Sequence, residues 1–358
     1  MTQHLLISRI RFFFFLCYFD LALNNKKISQ SIVMIKTPPS SSQRQRRRNV
    51  RRSMMMLLSF IACLLITGTF ITLFIIHFFR YQITLTTILP YPNFLCHQNR
   101  SCGCPNIGNR NNINSKIVGG EDASPYMYPW LVGLTDRHRL EPFCAGFIIS
   151  SKYILTAAHC LVNRYSDRVQ ILARTHDLRD FHGDRHDIDH WIIHPQYRLN
   201  DSTHLNDIAL IRIQTSFAND LQPCCLPSTT SSTYPQAKTQ AIVSGWGRAH
   251  PQSIHRTSSV LQHVVLPIVD AKNIKCHQSI FDSSRQICAG YDRLSIDACS
   301  GDSGAPLLIV EHESPDNGYF IAAGIVSYGN TQCDSSLSSG VYTRISSYLD
   351  WIRAEMKK

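Results

Sequence analysis

The chain has 358 residues, 44% of them hydrophobic, enough for one large domain or two small ones with extra segments. Its formal charge is +11, but the excess sits at one end: residues 1–116 hold 15 Lys and Arg against one acid, Asp20, and residues 117–358 hold 21 against 24. The larger part is nearly neutral, and this excludes a nucleic-acid partner, which would need a basic folded face.

In chain order, the run FFFFLCYFDLAL is broken by Asp20 and follows Arg9 and Arg11, which fits an interfacial segment better than a membrane span. Residues 26–53 are polar, basic and rich in Ser and Pro, and 1–53 reads as a mostly disordered cytoplasmic tail. From 54 to 79 there is no Asp, Glu, Lys or Arg, and RQRRRNVRR stands just before this run. About 20 apolar residues span a bilayer, and an arginine block keeps its own side cytoplasmic. Residues 54–79 are therefore expected to be a transmembrane signal anchor, with the C-terminal part outside. The alternative is a secreted form with a cleaved signal, but no small-residue cleavage site follows the run.

Residues 80–116 read as a short stem or propeptide, too Asn-rich for a core of its own. It ends in INSKIVGG, where Lys116 stands before two β-branched residues and two glycines.

From Ile117 on, short apolar runs alternate with turn signals: FCAGFIIS, YILTAAHC, RVQILAR, DIALIRI, AIVSGWG, HVVLPIV, APLLIV, FIAAGIVSYG, GVYTRI. This spacing predicts an all-β sandwich or barrel architecture. The polar stretch LPSTTSSTYPQ divides the region into two β units. Only SSYLDWIRAEM reads as a helix, with Leu349, Ile352 and Met356 on one face and a serine before the run as its N-cap.

There are 13 cysteines, 11 of them between Cys96 and Cys333, and none at C-x-x-C spacing, which favours disulfides over metal. The acceptor triplets Asn99-Arg-Ser101 and Asn200-Asp-Ser202 fit the same oxidising compartment.

Three motifs carry chemistry. TAAHC places His159 at a strand end, NDIALI places Asp207 before a buried run, and GDSGAP places Ser303 between glycines. In this order they fit a base, an orienting carboxylate and a nucleophile. Together with IVGG, YPWLVGL, SGWG, IVSYG and GVYT, these motifs make residues 117–358 resemble the chymotrypsin-like (trypsin-type) serine proteases over their whole length. With the anchor added, the layout resembles a type II transmembrane serine protease.

The resemblance implies two antiparallel six-stranded β-barrels with a C-terminal helix and the active site between them. It implies a serine endopeptidase made as a zymogen, with His159, Asp207 and Ser303 catalytic and the N–H groups of Gly301 and Ser303 as oxyanion hole. Asp297 would be the floor of a pocket selecting Arg and Lys, with Ala298 beside it and Gly329 and Gly340 keeping its walls open. Ser327 would add a hydrogen bond near Asp207, and Ser327, Tyr328 and Gly329 would pair with substrate as an extra strand. Cutting after Lys116 would free the amino group of Ile117 to pair with Asp302.

The implied disulfides are Cys144–Cys160, Cys276–Cys288 and Cys299–Cys333. Cys225 would take a stem cysteine that the sequence does not identify, and the odd count leaves one thiol over. A further family bridge is missing, with Ala241 and Ile309 at its two positions. Ala145 and Ala305 stand where glycine is usual and could lower activity. The implied partners are protein or peptide substrates, an activating protease, serine protease inhibitors and a membrane held by 54–79. No cofactor or metal is expected, because Thr175, His182 and Arg185 occupy the region of the family's calcium loop. The rival reading is a weak or inactive homologue acting as a binding module, against which stand the intact triad and Gly301.

Overall fold

A computed structural model of the chain describes residues 42–86, 96, 100–105, 121–137, 139–180, 183–247, 258–291, 302–314, 317–329 and 340–358. The chain divides into two units, Met1–Thr86 and Thr87–Lys358.

In the first unit, helix α1 spans Ser42–Thr86. It extends beyond 54–79 at both ends, because Gln and Arg on the N-terminal side are good helix formers and no proline interrupts the run. Its stretch Arg52–Ile75 is long and apolar enough to cross a membrane, with mean hydropathy 2.4. Leu57, Phe60, Leu65 and Phe70 along it are exposed.

In the second unit, six strands form a closed antiparallel barrel in the order β2-β3-β4-β7-β6-β5. They are β2 (Leu131–Asp136), β3 (Pro142–Ile148), β4 (Tyr153–Thr156), β5 (Val169–Ala173), β6 (Asp184–Ile193) and β7 (Ala209–Ile213). The second barrel runs β9-β10-β13-β12-β11-β8 and closes through β8–β9. Its strands are β8 (Gln240–Gly245), β9 (Gln262–Val269), β10 (Gln286–Ala289), β11 (Pro306–Ser314), β12 (Asn317–Tyr328) and β13 (Gly340–Arg344), with the two-residue β1 (Glu121–Asp122) added to β9. Closure leaves neither barrel an open sheet edge. Inward residues fill each barrel, among them Leu134, Phe147 and Ile171 in the first and Leu266, Leu307 and Tyr342 in the second. Trp130, leading into β2, packs on Phe320 of β12 with ring centroids 5.6 Å apart, tying the barrels together.

Two short helices complete the fold, α2 (Ile274–Ser279) and α3 (Leu349–Glu355). Asn273 caps α2 through a hydrogen bond from the Lys275 N–H. Leu349 and Ile352 of α3 are buried as expected, but no serine caps it. Ile345–Tyr348 form a 3-10 turn, and the Ser346 and Ser347 hydroxyls donate instead to the carbonyls of Ser231 and Ser284. The turn places Tyr348, not a serine, at the cap position of α3.

The stem is docked on the second barrel. Cys102 bonds Cys225, and Cys96 bonds Cys104. Gly103 N–H donates to the Pro223 carbonyl and its own carbonyl accepts from Phe320 N–H. At φ +76°, Gly103 has no room for a Cβ, which would meet the Phe320 oxygen at 2.5 Å. Arg100 lies 3.4 Å over the Tyr319 ring and pairs with Glu313. Cys144–Cys160 and Cys276–Cys288 form as the resemblance implies, whereas Cys299–Cys333 lies outside the described residues. Cys224 is reduced and buried, and burial pushes its thiol pKa up.

Candidate active site

Three local structures bring the motif residues together. β4 ends at Thr156, and a 3-10 turn, Ala158–Cys160, carries His159. The Cys144–Cys160 bridge ties that turn to β3. Asp207 sits just before β7 and is fully buried. Ser303 lies in the turn that enters β11.

Asp207 organises the first two residues. Its Oδ2 is 2.8 Å from His159 Nδ1, and its Oδ1 accepts from the His159 backbone N–H at 2.9 Å. Ser327 Oγ donates to the same Oδ2. Thr343 Oγ1 donates to the Asp207 backbone carbonyl at 2.8 Å. A buried carboxylate needs several donors, and these supply them. Burial alone would raise the Asp207 pKa, but hydrogen bonds and charge from His159 and the Ser327 hydroxyl bring it below 3.8. Burial likewise pulls His159 down, but the hydrogen bond and charge of Asp207 outweigh it and raise its pKa above 6.5.

The Ser303 turn is held from both barrels. Ala305 N–H donates to the Asp302 carbonyl, Gly304 N–H to Val326, and Val326 N–H to Ala305. From the first barrel, Ala145 N–H donates to the Ser303 carbonyl at 2.8 Å. Gly304 has φ +85°, and a Cβ there would collide with the Ala145 oxygen and Thr156 Oγ1. That glycine is required by both its backbone and its surroundings. Ala145 and Ala305 are fully buried without disturbing these bonds.

Among the described residues no hydrogen bond joins the Ser303 hydroxyl to His159. Cys160 Sγ connects the two locally, lying 3.7 Å from both His159 Nε2 and the Ser303 carbonyl. The ligand atoms of Cys144, His159 and Cys160 cluster within 4.8 Å, but the two sulfurs are bonded to each other and neither is a thiolate.

Tyr328 and Gly329 follow Ser327 at the end of β12, and Gly340 opens β13. The Asp302 carboxylate accepts from Gly247 N–H at 2.8 Å. Asp297, Ala298, Gly301, Lys116 and Ile117 lie outside the described residues. In the region of the calcium loop, Arg174 Nε donates to Asp184 at 2.9 Å and its Nη2 donates to Asp220 at 2.9 Å.

Sequence reasoning missed Thr343, Thr156 and the ring pair of His204 and Tyr328. Thr156 Oγ1 donates to the Ala145 carbonyl at 2.7 Å, bracing the strand beside Ser303. His204 lies 4.5 Å from Tyr328, centroid to centroid. The only sequence signal was the presence of both threonines inside motifs already quoted, LTAAHC and GVYT.

Comparison with known proteins agrees with this geometry. Residues 117–352 match the trypsin family model. The chain is 32% identical over 257 residues to the clotting factor G beta subunit of Tachypleus tridentatus, covering 67% of this chain and 80% of that protein. It is 34% identical over 313 residues to the phenoloxidase-activating enzyme of Bombyx mori, covering 76% and 69%. It is 32% identical over 287 residues to chymotrypsin-C of Bos taurus, covering 75% and 98%. The chain belongs to the trypsin family and is a serine endopeptidase.

Proposed function

We propose that the protein is a membrane-anchored endopeptidase, made as a zymogen, that cuts after Arg and, less readily, after Lys. The observation that carries the chemistry is the buried Asp207 bonded to His159, beside Ser303 on its glycine-hinged turn. Ser303 attacks the peptide carbonyl. His159 takes its proton and returns it to the leaving amine, while Asp207 fixes the imidazole tautomer and stabilises the cation. The N–H groups of Gly301 and Ser303 hold the developing oxyanion, each donor being worth about 3 kcal/mol of barrier. Substrate pairs as a strand with Ser327, Tyr328 and Gly329.

Asp297 lies six residues before Ser303 and supplies the carboxylate for a cationic side chain. Ala298 beside it has no hydroxyl to serve an ammonium, whereas a guanidinium still binds a carboxylate bidentately. Cutting after Lys116 frees the Ile117 amine to reach Asp302 and order the pocket. Residues 54–79 anchor the chain, with support from the apolar stretch Arg52–Ile75 of α1.

A peptide-library profile of the purified, activated protein, with Ser303→Ala as control, tests this reading. Cleavage should follow Arg over Lys and vanish in the control. Preferred cleavage after Phe or Leu would reject the pocket assignment, and undiminished turnover in the control would reject the nucleophile.

A further inference from the structure

The loop from β6 to β7 is anchored at its base. His194 N–H donates to the Ile208 carbonyl at 3.1 Å, and Asn206 Nδ2 donates to the Gln196 carbonyl at 3.2 Å. Its tip reaches across to the second barrel. His204 stacks on Tyr328, and the Thr203 carbonyl accepts from Gln286 Nε2 at 2.9 Å. Tyr328 directly follows Ser327, the donor to Asp207, so this tip stands on the rim of the cleft.

Asn200-Asp201-Ser202 forms the outer part of the tip, within consecutive turns. Asn200 and Ser202 are exposed, while the half-buried Asp201 accepts from Thr203 N–H at 2.9 Å. Among the described residues none hydrogen-bonds to the Asn200 side-chain amide.

We propose that Asn200 carries an N-linked oligosaccharide that screens this rim of the cleft against large partners while leaving short peptides free access. The inference rests on the reading that residues 117–358 are translocated across a membrane. An Asn-x-Ser triplet on a reachable surface loop is the required acceptor. The donor is an oligosaccharide on a lipid pyrophosphate. A bond forms between Asn200 Nδ2 and the anomeric carbon, the anomeric carbon–phosphate oxygen bond breaks, the lipid pyrophosphate leaves, and the amide proton passes to a base of the transferase.

The loop base is fixed by its own hydrogen bonds, so the sugar would be held beside His204 and Tyr328. A short peptide needs only the strand-pairing backbone and the pocket. A folded inhibitor must also cover the rim.

The test expresses the full-length chain in secretory cells with an Asn-Gly-Thr acceptor appended after Lys358 as a topology reporter. Site-resolved mass spectrometry should find glycan at both the reporter and Asn200, and Asn200→Gln should lose only the latter. In the active protein, enzymatic deglycosylation or Asn200→Gln should speed association of a folded protein inhibitor at least about fivefold and change tetrapeptide kcat/KM by less than about twofold. A modified reporter with unmodified Asn200 overturns this inference alone. An unmodified reporter overturns the translocation reading and the inference with it. Equal inhibitor association with and without the glycan overturns the screening role.

Discussion

Ile309 of β11 pairs with Ala241 of β8 in the antiparallel ladder, and both are buried. The resemblance places a missing family bridge at these two positions, and the ladder sets them directly opposite each other. Replacing both with cysteine should therefore close a disulfide without moving the strands. It should stabilise the domain by about 2–4 kcal/mol, mainly by restricting the unfolded chain. Thiol titration and urea midpoints with and without reductant check this. Two titratable thiols in the oxidised, folded variant would contradict it.

His159 should titrate above 6.5 in the resting protein, since Asp207 outweighs the effect of burial. The neutral base then accumulates only above that raised value, so kcat/KM should climb with pH through a midpoint above 6.5. Imidazole resonances followed by NMR in the Ser303→Ala protein report it directly. With Asp207→Asn added, only burial remains and the midpoint should fall below 6.5. An unchanged midpoint would show that Asp207 does not set the basicity of His159.

Ser327→Ala removes a hydroxyl donor from the buried Asp207 carboxylate while His159 keeps both of its bonds to it. The expected loss is about tenfold in kcat, with KM within about twofold. A change confined to KM would place Ser327 in substrate binding alone.

The family and the barrel fold were legible from the sequence because His159, Asp207 and Ser303 each sit in a local motif, and strand periodicity is a local property. What escaped depends on distant approach. Thr343 reaches Asp207 across 136 positions, and His204 meets Tyr328 only after the barrels pack. The partner of Cys225 was illegible for the same reason: three stem cysteines lie within nine residues, and their spacing does not say that Cys102 takes it while Cys96 bonds Cys104. The expected serine cap of α3 failed because the 3-10 turn Ile345–Tyr348 precedes the helix and puts Tyr348, not a serine, at the cap position.

His263 is buried beside Tyr128, whose hydroxyl lies 2.8 Å from its Nδ1, and burial lowers its pKa from 6.5 to about 4. The native state therefore excludes a proton that the unfolded chain binds below 6.5. The associated stability is complete above that value and is lost as pH falls toward 4, by about 3 kcal/mol in full. Urea midpoints at neutral and acid pH should differ more in wild type than in His263→Gln. Equal pH dependence of the two would count against this source of acid sensitivity.

Lys116→Gln should remain a single inactive chain under conditions that activate wild type. Cut wild type should run as one species without reductant and as two with it, because Cys102 lies before the cut and Cys225 after it. Separation without reductant would contradict the bridge, and full activity of uncut Lys116→Gln would contradict the zymogen reading.

The Cys102–Cys225 link also decides where force enters the folded domain. Any pull on the chain from its N-terminal side meets the Cys96–Cys104 bridge and then the Cys102–Cys225 bond, backed by the Gly103 hydrogen bonds and the Arg100–Tyr319 stack, before it reaches Ile117. Tension is therefore delivered to Cys225, in the connection between the barrels, and bypasses the chain that follows Cys104. A cut before Ile117 would leave this load path through Cys102 and Cys225 unbroken, however firmly the upstream chain is held.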